Sequence, residues 1–444
     1  MNRKLGAAAI AVACMCARGR ESHAQDNELT RETSARPGAG ASCADARDAA
    51  TVVACALAAS PEVAEARALV DAAGGRREAA AVVLPSNPTL AGTISNRRRP
   101  DEPRSVPNWS VSLAQEIEIG GQRAARLEVA EAERQAREAR LRVATEEVAA
   151  GALTAYYEAV AAREALTFAT ELASTARALA DYAEARAHEE LVSGVEADVA
   201  RAEATRIGVI RFEAERHLAE AVAVLALLLD VPGTRLALPS ALPASAPLAG
   251  DAGFFAERAL RVRGELAAAE AEQRVLERRL ALVRRERISS PTVSLFAERG
   301  EVRDHIFGVG LAVPLPVPAP IGRTRAGEIT EAIAQLRAAQ SSRELARRRV
   351  LTEVARATTT YWAKVGEAAL FSPALMARAR ADLTALRDAL AARRLTLREG
   401  LPWQRSLIEL LSADIDARLA RLTAEVELRR VSGLPFGVAS GGAR

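Results

Sequence analysis

A chain of 444 residues that is 49% hydrophobic but only 3% aromatic suits narrow helix contacts between Ala and Leu, and it excludes a bulky aromatic core. Its 60 basic and 57 acidic residues leave a net charge of +3, too weak a field to mark a nucleic-acid partner, and the abundant Arg is balanced locally by Glu as on solvated helix faces.

The chain begins Met1-Asn-Arg-Lys4, continues through an apolar stretch from Leu5 to Ala17 and then turns polar. That pattern predicts an export signal over 1–24, because the apolar run is too short to span a bilayer as a helix. Ser22-His23-Ala24 offers small residues for ordinary cleavage, while Ala11-Val12-Ala13-Cys14 resembles a lipoprotein box, which makes Cys14 a candidate for lipidation. Residues 25–54 read as a flexible leader. An exported compartment permits a disulfide between Cys43 and Cys55, although two thiols fit the sequence equally well.

A first repeat occupies 55–237. Helical periodicity over Cys55 to Val83, with Ser60-Pro61 as a start, stops at Leu84-Pro85-Ser86-Asn87-Pro88. The period then drops to two: Leu90, Gly92 and Ile94 share one face, as do Trp109, Val111, Leu113, Ile117 and Ile119, which predicts strands at about 89–96 and 108–119. From Gly121 to Ala187 there is no Pro and only Gly151, so one helix of about 100 Å follows. It reverses near the lone Gly194, and a return helix from Glu196 to Leu229 ends at Asp230-Val-Pro-Gly233.

After a proline-rich linker over 238–250, a second repeat over 251–436 restates the layout, followed by a tail over 437–444. Pro88-Thr-Leu90 returns as Pro291-Thr-Val293, Trp109-Ser-Val-Ser-Leu113 as Phe307-Gly-Val-Gly-Leu311, Gly121-Gln-Arg123 as Gly322-Arg-Thr324, and Ala155-Tyr-Tyr157 as Thr360-Tyr-Trp362. Strands are expected at about 292–299 and 306–317, with Pro314 and Pro316 weakening the end of the last. The second long helix runs from Arg323 to about Arg398 with a kink or break near Ser372-Pro373, reverses at Gly400-Leu-Pro402 and returns from Trp403 to Val431.

Helices this long need partners along their whole length. Strands of this length with apolar-out, polar-in alternation and charged tips suit membrane-crossing hairpins, the soluble alternative being that helices bury each apolar face. Four strands leave edges that lipid cannot satisfy, so closure has to come from other chains: eight strands from two copies or twelve from three, the larger number suiting a conducting pore. The fold class is mainly α with a small β part, a duplicated repeat of long antiparallel helices forming a periplasmic α-barrel with four strands per chain. His23, His188, His217 and His305 are scattered, and no phosphate loop or nucleophile motif occurs. No enzyme activity, cofactor or bound metal is therefore expected.

Asn87-Pro88-Thr-Leu90, Gln115-Glu-Ile-Glu-Ile-Gly120-Gly-Gln-Arg123, the stretch Leu225 to Gly233 and the duplicated layout resemble the TolC-like outer-membrane efflux proteins over about Cys55 to Phe436. The Gln115 to Arg123 segment is similar to the heavy-metal-exporter branch of that family. The resemblance implies a homotrimer with a twelve-stranded barrel in outer-membrane lipid, a periplasmic helical tunnel, docking to a periplasmic adaptor and an inner-membrane pump, and passive export, with metal cations as cargo. A periplasmic coiled-coil adaptor or scaffold is the competing reading.

The resemblance also implies that the helix reversals farthest from the membrane dock the adaptor and narrow the entrance, through Gly194, Glu196 and Asp198 at one tip and Arg398, Gly400 and Gln404 at the other. The spacing between Gly194 and Asp198 is about two residues shorter than the family's. A bland reading stands beside the functional one, in which each Gly only permits a tight reversal at positive φ and the charges are solvated. Any of Glu189, Glu190, Glu196, Asp198 or Glu399 that faced a three-fold axis would form an acidic ring.

Overall fold

The computed structural model describes residues 43, 47–97, 106–299, 304–315, 317, 321, 324–392, 394 and 397–436. The expected export signal with Cys14, nearly all of the expected leader before Arg47, Gly322-Arg323 and the tail lie outside the described residues, as do the side chains of Arg398 and Glu399. The chain divides into units 1–43 and 44–444. Cys43, the one described residue of the first, is disulfide-bonded, as is Cys55.

The second unit runs α1 (Ala49–Ala59), α2 (Pro61–Ala81), β1 (Thr89–Arg97), β2 (Val106–Glu116), α3 (Gln122–His188) and α4 (Gly194–Leu229). Its second half runs α5 (Ala252–Val262), α6 (Gly264–Arg285), β3 (Thr292–Arg299), β4 (His305–Ala312), α7 (Ala326–Ala369), α8 (Pro373–Ala391) and α9 (Leu397–Ser432). Among the described residues no single helix is long and apolar enough to cross a membrane.

The duplication extends to the caps. Asp48 accepts from the Thr51 N–H to start α1, and Asp251 accepts from the Phe254 N–H to start α5. The second helix of each copy follows one residue after the first, across Ser60 or Arg263. Left-handed Asp230 and Gly433, at φ 52° and 66°, end α4 and α9. At both ends an N–H reaches back five residues, from Val231 to the Ala226 carbonyl (3.1 Å) and from Leu434 to the Arg429 carbonyl (2.9 Å), which closes the helix in a Schellman motif. A matching left-handed pair, Gly121 and Arg325, starts α3 and α7, so the true counterpart of Gly121 is Arg325 and not Gly322.

The long α3 is the spine of the unit, packed against α1, α2, α4, α6 and α9, while α7 packs on α5, α6 and α9. Its buried face is largely alanine, which lets neighbouring helices approach closely. The bulkier core lies in the second repeat, where Phe255, Val354, Tyr361 and Leu428 are completely or almost completely buried. Two tyrosines fasten the repeats at one level: the Tyr156 hydroxyl donates to the Arg47 carbonyl (3.0 Å), and the Tyr361 hydroxyl accepts from the Leu248 N–H (2.7 Å). The stretch over 238–250 is extended but held in place. Arg163 donates to the Leu238 carbonyl at 2.6 Å, the Leu242 N–H donates to Glu164 at 3.0 Å, and Ser245 donates to Glu425 at 2.9 Å.

The second long helix does break, between Ala369 and Pro373, where Ser372 caps α8 by accepting from the Leu375 N–H (3.3 Å). Proline explains the position, since Pro373 has no N–H to continue α7 but fits the first turn of α8.

The four strands form one antiparallel sheet in the order β1-β2-β3-β4. The two hairpins join through β2 and β3, with Trp109 opposite Arg299 and Glu116 opposite Thr292. β4 ends at Ala312, short of 317, because Pro314 cannot donate to the ladder. One face carries the cross-strand rows Leu90-Leu113-Leu295-Val309 and Gly92-Val111-Ala297-Phe307. That face is uncovered: Leu90, Val111, Leu113, Leu295, Phe307 and Val309 are all exposed. Helices therefore do not bury it, as the soluble alternative requires. The opposite face is mixed, with Phe296 lying over Gly308, where a side chain would collide with its ring. Among the described residues, no strand lies beside the outer edges of β1 and β4.

Candidate functional site

Two places bear on function, the junction between sheet and helices and the tips at the far end of the long helices. At the junction the segment from Gln115 to Arg126 is a set of ties. Gln115 donates to the Ser86 carbonyl (3.0 Å), and buried Gln122 accepts from the Gly120 N–H and donates to the Ile288 carbonyl, both at 2.8 Å. Arg123 donates to the Ala81 carbonyl (2.7 Å), while Arg126 pairs with Glu118. These residues lock β2 and α3 to the ends of α2 and α6, which gives the segment a structural task. Beside it a cleft of about 810 Å³ is lined by Glu116, Glu118, Arg284, Arg287, Arg325 and Glu328 among others.

At the first tip α3 ends where the Leu191 N–H reaches the Arg186 carbonyl (3.0 Å), with Glu190 at φ 59° as the left-handed residue. At the second tip the Arg394 N–H reaches the Ala389 carbonyl (2.9 Å) in the same pattern. The glycines do neither job assigned to them by the bland reading. Gly194 is the first residue of α4 in open surroundings, and the positive φ falls on Glu190 instead. Gly400 lies inside α9, where an added Cβ would sit 2.7 Å from a Leu390 methyl. It is a close-approach position between α8 and α9.

Glu196 stands three residues after Ser193, whose hydroxyl accepts from the Glu196 N–H (3.2 Å). That is half of a capping box, a signal present in Ser193-Gly-Val-Glu196. Glu189, Glu190, Glu196 and Asp198 are all exposed, and Asp198 faces Arg201 at 3.7 Å, with Arg201 paired in turn to Glu184. Gln404 is buried at 7% exposure. It borders a cavity of about 270 Å³ between α3, α8 and α9, walled by Phe168, Leu172, Leu386 and Leu390.

The candidate residues thus fall in two groups, Gly194, Glu196 and Asp198 on the α3-α4 tip, and Gly400 with Gln404 on the α8-α9 tip. A residue outside both groups joins them. Glu203 on α4, only 5% exposed, accepts from Arg206 (2.6 Å) and from Arg405 on α9 (2.7 Å). Burial alone raises the Glu203 carboxyl, but the hydrogen bonds and charges of Arg206 and Arg405 outweigh it and hold the group below the usual carboxylate range. Among the described residues no group of three or more His, Cys, Asp or Glu is placed to hold a metal ion.

Residues 52–229, from α1 to the end of α4, match the outer membrane efflux protein family. In fold the chain is similar to the outer-membrane channel OprN at 18% identity and a TM-score of 0.71, covering 87% of this chain and 90% of that one. It is similar to the outer membrane protein VceC of Vibrio cholerae at 16% identity and a TM-score of 0.69, covering 87% and 96%. The match to CusC, whose structures concern folding and transmembrane channel formation, has 16% identity and a TM-score of 0.69 over 86% and 91%. No curated protein sequence matches. The first repeat thus matches the family's sequence model, and both repeats share the fold of the solved outer-membrane channels.

Proposed function

We propose that the protein is the outer-membrane component of a tripartite efflux system, a passive exit duct made of three copies. The observation that carries this reading is the sheet, whose apolar face is uncovered and whose outer edges at β1 and β4 have no neighbouring strand among the described residues. In lipid those edges have to be paired, and three copies close a barrel of twelve strands wide enough to conduct. The long helices then line a periplasmic tunnel, driven by an inner-membrane pump through a periplasmic adaptor.

The adaptor docks at the two tips, with exposed Glu196 and Asp198 on one and the Gly400 to Gln404 turn of α9, led by Arg398, on the other. Metal cations are the cargo that the Gln115 to Arg123 resemblance implies. The duct is tested by reconstitution: the mature protein requires detergent and conducts ions in a planar bilayer. A protein that is monodisperse without detergent and silent in the bilayer contradicts it. For the cargo, a strain lacking the gene should become sensitive to metal salts, and sensitivity to organic toxicants alone would contradict that part.

A further inference from the structure

The uncovered face of the sheet changes character toward the hairpin tips. Its two central rows carry no charge, but the next row is Ile94-Trp109-Arg299-His305. Trp109 and His305 stand on the strands either side of β3, yet their ring centroids are 6.1 Å apart, against about 9 to 10 Å between backbones two strands apart. The rings lean together across Arg299. No described residue forms an ion pair or hydrogen bond with the Arg299 side chain, and its Nε is covered without a partner. The row itself contains no acid.

A guanidinium at the rim of an apolar band is costly unless an anion meets it. From Glu116, the last residue of β2, to Trp109 the strand advances about 23 Å, or about 18 Å of membrane height at a tilt of about 40°, which carries Trp109 toward the far rim of a barrel's apolar band about 25 Å tall. The helices leave the sheet on the periplasmic side, so this rim lies at the outer leaflet. There an anion is supplied by lipid. We propose that Arg299, flanked by Trp109 and His305, binds a sugar phosphate of the outer-leaflet glycolipid lipid A, one site per chain. Arg299 can donate two parallel hydrogen bonds to phosphate oxygens, His305 adds a further donor, and the Trp109 ring sits at the boundary between acyl chain and headgroup. The site rests on the membrane placement of the sheet and goes beyond the duct reading.

Native mass spectrometry of the detergent-purified assembly with diphosphorylated lipid A, dephosphorylated lipid A or phosphatidylglycerol tests it. The expected result is retention of diphosphorylated lipid A, with about tenfold or greater weakening on dephosphorylation or in Arg299→Gln. Arg348→Gln, on α7 and far from the sheet, should retain the lipid like wild type. Equal retention by Arg299→Gln and wild type, or of dephosphorylated lipid, would overturn the proposal. Phosphatidylglycerol held as tightly as lipid A would overturn the glycolipid assignment. Bilayer conductance of Arg299→Gln reads the duct separately, and the variant is expected to conduct like wild type whatever becomes of lipid retention.

Discussion

Tyr156 and Tyr361 occupy one place in the two repeats and use their hydroxyls in opposite senses, the first donating to the Arg47 carbonyl and the second accepting from the Leu248 N–H. The sequence marks both as repeated landmarks. It cannot show their use, because the partners lie 109 and 113 residues away. Burial, with smaller effects from Tyr157 and Asp48, pushes the Tyr156 hydroxyl up to about 12 from 10.0. A group raised in the folded state gives stability that is intact below its unfolded value and lost as the pH climbs through the folded one. Thermal unfolding of the purified assembly should therefore weaken between pH 10.0 and about 12. Tyr156→Phe should cost about 1 kcal/mol near neutrality and remove that share of the alkaline loss.

The tip glycines show why a residue type alone misleads. A lone Gly in a helix otherwise free of breakers signals a reversal, but the chain turns on Glu190 and leaves Gly194 helical. Gly194→Ala is expected to be neutral or to stabilise by up to about 1 kcal/mol through helix propensity. Gly400→Ala should lower the melting temperature, since its Cβ would press on Leu390 at 2.7 Å. Equal effects from the two substitutions would show that Gly400 is not a contact position.

At the scale of elements, hydrophobic period and proline gave the two hairpins and the long helices, with β2 and β4 stopping at Glu116 and Ala312 rather than at 119 and 317, and Pro373 gave the break between α7 and α8. Register and packing were not legible. The hairpins lie in separate repeats, and only the fold sets Trp109 beside Arg299. Glu203 likewise looks like one more surface acid in an Arg-rich helix, and its burial depends on Arg405 arriving from 202 residues away. Its carboxyl is held below 4.5 in the fold, so its contribution is complete above that value and is lost as the pH falls through the folded one. Glu203→Gln should cost about 1 to 3 kcal/mol near neutrality. It should also flatten the acid limb of a stability profile measured by thermal unfolding, and an unchanged acid limb would show that Glu203 does not tie α4 to α9.

For the whole molecule, duplication gives the chain two near-equivalent halves, matched from the Asp48 and Asp251 caps to the Asp230 and Gly433 stops. Among the described residues its sheet ends in two edges without a neighbouring strand, and in the proposed duct other copies pair them. The mass of the detergent-solubilised protein, with bound detergent subtracted, tests closure most directly. Three chains per particle is the expected result, and a stable particle of one or two chains would contradict it.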